Sequence, residues 1–153
     1  MGRVAFDKKT GDPILMESRV FNLRIHSSLG GLERYFKGLE DGKLYGVICK
    51  KCGLKHYPPV PQCKSCRSRE LEWIEVPSRG RLITYAEINV KPQTHSNYPD
   101  YVVGVADFQG VKVVGIVKGD YEEISPDMTV RWEIGVRDGE EYPTLYLVPL
   151  GKD

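Results

Sequence analysis

Histidine is scarce in this chain, and cysteine is confined to one short stretch. His26, His56 and His95 are the only histidines. None sits in a nucleophile or metal-hydrolase motif. The sequence has no G-x-S-x-G elbow, no P-loop and no G-x-G-x-x-G turn. The common hydrolase, nucleotide-phosphate and dinucleotide sites therefore have no footing. No apolar run approaches the roughly 18 residues that a bilayer crossing needs, so no membrane span is expected. The opening MGRVAFDKKTGDP lacks the apolar core of a secretory signal. Phe6 stands where a myristoylation motif wants Ser or Thr. A cytoplasmic location is the expectation. Long helices are disfavoured too: 16 Gly, 10 Pro and 9 Tyr suit turns and strands better than a helical bundle.

What remains is ordinary globular material. The hydrophobic fraction of 41% and charged fraction of 28% argue against a disordered chain. A length of 153 residues allows one domain or two very small ones. Net charge is +1, but it is unevenly spread. Residues 45–70 carry six Lys or Arg against one Glu, whereas residues 71–153 carry eight against fourteen acidic residues. A basic middle joined to an acidic C-terminal half suggests modules with different tasks.

Cys49, Cys52, Cys63 and Cys66 form the pattern C-x2-C-x10-C-x2-C. Each C-x2-C pair can fold into a tight knuckle, and two knuckles complete a tetrahedral four-sulfur site suited to Zn²⁺. Gly53 follows the first pair and can adopt the left-handed backbone that such a turn often needs. Lys50, Lys51, Lys64 and Arg67 surround the pairs and would partly offset the charge of a metal tetrathiolate. Other readings compete with zinc. Two disulfides would need an oxidising compartment. A redox dithiol does not account for the second matching pair. Iron in a rubredoxin-like site is the nearest rival, because its geometry is the same. A closed four-sulfur site has no open position for water, so a structural metal is expected. His56, between the pairs, reads as a surface histidine rather than a fifth ligand.

Around this centre, three segments are expected: an N-terminal arm and amphipathic helix over 1–44, a zinc ribbon over 45–70, and an OB-fold domain over 71–153. Residues 19–25 alternate, with Phe21, Leu23 and Ile25 on one face, and suggest a short extended segment. Leu29, Leu32, Phe36 and Leu39 recur at helical spacing, with Ser28 as N-cap and Gly42 as stop. The helix either caps a core or docks a partner, and its glycines mean that it needs something to pack against. After the ribbon come strands. Leu71–Val76 is short and apolar. Over 82–90, Leu82, Thr84, Ala86, Ile88 and Val90 share a face. Residues 101–108 and 111–117 flank a Gln109–Gly110 turn, with Gly104 and Gly115 marking bulges or close approaches. Residues 128–136 and 144–148 complete a set of five main strands, which suits a small OB-type barrel.

The combination of YFKGLEDGKLYGVICKKCG, HYPPVPQCKSC, LEWIEVPSRGRLITYAEI and PDYVVGVADF resembles the zinc-ribbon plus OB-fold family of acyl-CoA-associated proteins. That family was long catalogued as a domain of unknown function. The resemblance covers about residues 28–150. One departure is the second knuckle, Cys63-Lys64-Ser65-Cys66, where members often carry proline after the first cysteine. The resemblance implies a mainly β protein with an N-terminal helix, a rubredoxin-like zinc ribbon and a five-stranded OB barrel. It implies that Cys49, Cys52, Cys63 and Cys66 hold the metal. It further implies a non-catalytic accessory role beside acetoacetyl-CoA thiolase or 3-hydroxy-3-methylglutaryl-CoA synthase, helping to hold acyl-CoA. The basic ribbon could meet the phosphates of CoA, and the barrel could offer an apolar groove to pantetheine. Tyr57, Tyr98 and Tyr101 are candidates to stack on adenine, and His95, on the polar loop, is the best general-base candidate. The rival reading is a nucleic-acid-binding module of transcription, translation or RNA decay. The acidic 71–153 segment disfavours it, because single-strand binders need a basic groove interleaved with aromatics.

Overall fold

The structure, a computed structural model, describes residues 3–16, 28–92, 95–96, 98–137, 140 and 142–151. The extended segment expected over 19–25 lies outside these residues. Among the described residues, no helix is long and apolar enough to cross a membrane.

The N-terminal arm is a hairpin. β1 (Arg3–Phe6) pairs antiparallel with β2 (Pro13–Met16). The Asp7 carboxylate accepts the backbone N–H groups of Thr10 and Lys9, at 2.9 and 2.8 Å. Those two bonds fix the turn and hold the Asp7 carboxyl below its usual range.

Helix α1 spans Glu33–Glu40, shorter than the apolar spacing suggests. Gly30 and Gly31 stand at φ 54° and 89°, so the chain enters the helix only after them. Leu29 and Leu32 therefore belong to the lead-in turn, closed by Leu32 N–H to Leu29 O at 2.9 Å. Gly38 explains what the helix packs against. It is buried on the Tyr45 ring, and a Cβ at this position would lie 2.5 Å from Tyr45 Cδ2. On the same side, the Arg34 guanidinium lies 4.7 Å from the centre of the Tyr45 ring.

Three strands make the ribbon sheet. β3 (Tyr45–Cys49) is central, between β4 (Lys55–His56) and β5 (Leu71–Glu75), and both pairings are antiparallel. The apolar segment after the last cysteine thus pairs with the ribbon before the chain enters the barrel.

The barrel strands are β6 (Arg79–Ile88), β7 (Tyr101–Phe108), β8 (Val111–Val117), β9 (Thr129–Val136) and β10 (Pro143–Pro149). Their order around the closed barrel is β10-β8-β7-β6-β9. All pairings are antiparallel except β8 with β10. The first strand pairs with the second and fourth, and the third runs parallel to the fifth. That is the five-stranded OB topology. The β7–β8 turn forms as its sequence suggests: Gln109 and Gly110 both have positive φ, at 55° and 88°, as a two-residue primed turn requires.

Alternation fails in one strand. The β6–β7 register shifts between Leu82 and Thr84, so Ile83 is an extra residue. Beyond it the faces exchange. Leu82 is fully buried, and Tyr85, rather than Thr84 or Ala86, packs on the core. The Tyr85 hydroxyl donates to Ile124 O at 2.6 Å, and Trp132 Nε1–H donates to Pro77 O at 2.8 Å. Both half-buried aromatics thereby keep a polar partner. Inward-facing Leu82, Val102, Ala106, Phe108, Val111, Val113, Val117, Val130 and Leu147 fill the barrel.

Gly104 faces this interior, opposite Gly115 in the register. A Cβ on Gly104 would lie 2.6 Å from Val117 Cγ2 and 2.9 Å from Leu82 Cδ1. Both neighbours are packed core side chains, so neither can move freely. Gly104→Ala is therefore expected to cost about 1–3 kcal/mol through overpacking. Gly151→Ala, which meets nothing within 4 Å, should be neutral. Urea unfolding of the two variants checks this contrast.

Candidate metal centre and the surfaces around it

β3 delivers Cys49 at its end, and the chain turns at once. The first knuckle closes with Gly53 N–H to Cys49 O at 2.8 Å, and Cys49 N–H reaches back to Leu54 O at 2.9 Å. The second knuckle repeats these bonds: Arg67 N–H to Cys63 O at 3.0 Å, and Cys63 N–H to Ser68 O at 2.9 Å. The residue after each pair is left-handed, Gly53 at φ 73° and Arg67 at φ 57°. Glycine announced the first turn. The second uses an arginine, and no local signal marks it. Gln62 Nε2 donates to Arg67 O at 2.6 Å and braces that turn.

The two knuckles face each other. Cys49 Sγ lies 3.5 Å from Cys66 Sγ, and Cys52 Sγ lies 3.5 Å from Cys63 Sγ. All four sulfurs fall within 4.8 Å of one another. A tetrahedral metal with bonds of about 2.3 Å to sulfur would space its ligands by about 3.8 Å. The donor set therefore fits such an ion.

Electrostatics points the same way. The backbone N–H of Cys66, with His56 and the Ser65 N–H adding, outweighs burial and brings the Cys63 thiol down to about 5. Cys52 behaves oppositely. The Leu54 N–H favours its thiolate, but the neighbouring sulfurs and burial outweigh it, and the thiol is pushed up to about 12. Adjacent thiolates repel, and a divalent cation removes that conflict.

His56 is not the surface residue its sequence position suggests. It is only 5% exposed, and its Nε2 lies 3.4 Å from Cys63 Sγ. It sits beside the sulfur cluster as a hydrogen-bonding neighbour, in a manner common around metal-bound sulfur. β4 places it there by pairing with Val47. Two strand residues between the cysteine pairs were the available signal, but two residues are too few to show alternation.

The other candidate residues lie elsewhere. Tyr57 is half-buried, and its hydroxyl is 3.2 Å from that of Tyr35 on α1. Burial, reinforced by Tyr35, pushes its phenol well above the ordinary range. Its role is to join the helix to the ribbon. Tyr98 and His95 on the long polar loop cluster with Tyr101 at the start of β7, with His95 5.8 Å from the Tyr98 ring centre and 6.1 Å from that of Tyr101. Arg137, from beyond β9, lies 5.0 Å from the Tyr98 ring centre and 3.2 Å from His95 Nε2. These residues hold two barrel loops together, and His95 is half-buried among them rather than solvated. They are far in sequence from the cysteines, and nothing in the chain pairs Arg137 with that loop before folding.

A hollow of about 640 Å³ at one end of the barrel is lined by Arg79, Ser125, Asp127 and Thr129 together with Pro126, Met128 and Leu150. A largely apolar groove of about 380 Å³ lies on the ribbon, between its strands and the lead-in to α1.

A four-cysteine knuckle pair feeding a five-stranded OB barrel defines a class of two-module proteins. Comparison with known sequences gives the class a family. Residues 36–72 match the family model described as the ChsH2 rubredoxin-like zinc ribbon domain, and residues 73–134 match the ChsH2 C-terminal OB-fold domain. The chain belongs to this zinc-ribbon/OB-fold family, also known as DUF35. A relative in Methanocaldococcus jannaschii, a DUF35 domain-containing scaffold protein, is 31% identical over 74 residues. That match covers 47% of this chain and 52% of the relative, so it spans about half of the relative's length. The benzoylsuccinyl-CoA thiolase subunit BbsA of Thauera aromatica is 29% identical over 106 residues, which is 66% of this chain and 72% of BbsA. Among solved structures, the Ltp2–ChsH2(DUF35) aldolase superposes with a TM-score of 0.63 at 21% identity, covering 77% of this chain and 93% of that one. A DUF35 protein of Sulfolobus solfataricus gives 0.56 at 17% identity, covering 79% and 87%. At these identities the two structures establish the fold.

Two expectations follow. Cys49→Ser should abolish stoichiometric metal binding by elemental analysis; full retention would remove Cys49 from the ligand set. The two knuckle turns should respond to substitution with opposite signs. Gly53→Ala forces a side chain into a left-handed turn and should cost about 1 kcal/mol, whereas Arg67→Gly relieves one and should gain up to about 1 kcal/mol. Denaturation of metal-loaded protein measures both.

Proposed function

We propose that this protein is an accessory subunit of a thiolase-type acyl-CoA enzyme, with a structural zinc holding its ribbon. One observation carries the reading. A chain whose four cysteines gather into a closed sulfur cluster aligns over 66% of its length with a thiolase subunit. The zinc assignment rests on the donor set: four thiolates suit zinc, and iron is the alternative the same geometry admits. Cys49, Cys52, Cys63 and Cys66 would hold the ion, and all four positions would be filled by protein. A metal so enclosed supports folding rather than activating water.

The scaffold role named for the Methanocaldococcus relative fits a chain that organises a site without itself performing chemistry. The aldolase formed by Ltp2 with ChsH2 fits a protein whose contribution is realised only beside a catalytic partner. We extend this to the substrate. The chain helps to hold an acyl-CoA, with the cations of the ribbon near the phosphates. Acetoacetyl-CoA thiolase or a 3-hydroxy-3-methylglutaryl-CoA synthase is the partner type we favour.

The experiment is affinity purification of the tagged chain from its own cells, with mass spectrometry of what accompanies it. Stoichiometric recovery of a thiolase or acyl-CoA synthase is the expected result. Recovery of ribosomal, polymerase or RNA-decay components in its place would overturn the reading.

A further inference from the structure

Among the described residues, His56 is the one polar or charged residue that is buried. Burying an imidazole is costly unless its nitrogens find partners. The backbone holds the ring in place. β4 pairs His56 with Val47 of β3, and it lies so close to that strand that a Cβ on Gly46 would come within 2.8 Å of His56 O. Lys55, the other residue of β4, is anchored in turn by its Nζ, which donates to Gln109 O at 2.6 Å. Held in this way, the His56 ring sets Nε2 3.4 Å from Cys63 Sγ.

The sulfurs differ in what reaches them. Cys63 receives the backbone N–H groups of Cys66 and Ser65 besides the ring, Cys49 those of Cys52 and Lys51, and Cys52 that of Leu54. Exposure differs as well. Cys52 is open to solvent, whereas Cys49 and Cys63 are each only 1% exposed. A thiolate that holds a cation has no proton to give, so a hydrogen bond between Nε2 and Cys63 requires the proton to be on Nε2. Such a bond stabilises the charge on sulfur and makes it a weaker nucleophile.

We propose that His56 donates its Nε2–H to the metal-bound thiolate of Cys63, which makes Cys63 the guarded corner of the cluster and leaves Cys52 as the corner attacked first. The inference rests on the structural-metal reading above. Burial and backbone donors treat Cys49 and Cys63 alike, with equal exposure and two N–H groups each. A difference in reactivity between these two sulfurs therefore isolates the contribution of the ring.

Two measurements on the full chain test this. In protein loaded with an NMR-active cadmium isotope, the His56 Nε2–H should show a scalar coupling to the metal. That coupling crosses an N–H···S hydrogen bond, and packing alone does not produce it. In zinc-loaded protein, limiting iodoacetamide, whose carbon bonds to sulfur as iodide leaves, should mark Cys52 first. It should mark Cys63 about tenfold more slowly than Cys49, as one hydrogen bond to a charged group allows. His56→Leu should bring Cys63 level with Cys49 and weaken metal affinity about 10- to 100-fold. His56→Gln, whose amide keeps a donor at a similar reach, should retain the protection. Absence of the coupling, or equal marking of Cys49 and Cys63 in the unaltered chain, would overturn the role of His56. Marking of Cys49 or Cys63 ahead of Cys52 would overturn the order of attack. Both measurements are read on the unaltered chain, so the proposal stands or falls even where His56→Leu does not fold. A chain that binds no metal by elemental analysis would overturn the structural-metal reading and the proposal with it. Metal bound without the coupling would overturn the proposal alone.

Discussion

Four sulfur atoms brought within one coordination sphere are the constraint on which the ribbon depends. Its sheet has three strands, one of them two residues long, and most of what lies between them is turn. So little regular structure buries little apolar surface, and small modules of this kind need a metal or a disulfide to hold them. The knuckles are already shaped for it. Each is closed by a matching pair of backbone hydrogen bonds, and the sulfurs converge without displacing them. Helix α1, β4 and β5 then have a fixed surface on which to pack, and His56 is held beside the cluster.

The barrel relies on a different principle. It is held by a closed ring of strands and by a core of mainly valine and leucine around Phe108, with glycine where strands come too close for a Cβ, as at Gly104 and Gly115. The bulge at Ile83 gives β6 the curvature to pair with both β7 and β9. Closure leaves no open sheet edge in this part of the molecule. The ribbon has no such closure.

Much of this was legible beforehand. The cysteine spacing announces the metal centre, because two pairs at a two-residue spacing have few other uses. The β7–β8 hairpin is readable from Gln109–Gly110 and the apolar alternation on either side. Three things escaped for physical reasons. A bulge has no signature in an alternation pattern, so alternation points Thr84 inward where the fold places Tyr85. The left-handed turn at Arg67 is imposed by the knuckle, not by the residue. His56 is buried by a tertiary contact with a sulfur, which no local periodicity encodes. The groove is likewise a product of assembly: Leu29, Val60 and Trp73 are distant in sequence and meet only when the ribbon is complete.

The strand β5 carries a consequence for how such proteins can be divided. The two family modules meet between residues 72 and 73, inside a strand that runs from Leu71 to Glu75 and pairs along its whole length with β3. Immediately after it, Val76 N–H bonds Leu44 O at 2.8 Å, and Pro77 O receives the Trp132 indole from the barrel. Severing the chain at the module border would leave β3 with half a neighbour and strip Trp132 of its acceptor. What is a seam in the record of shared sequence is, in the folded molecule, a continuous piece of sheet.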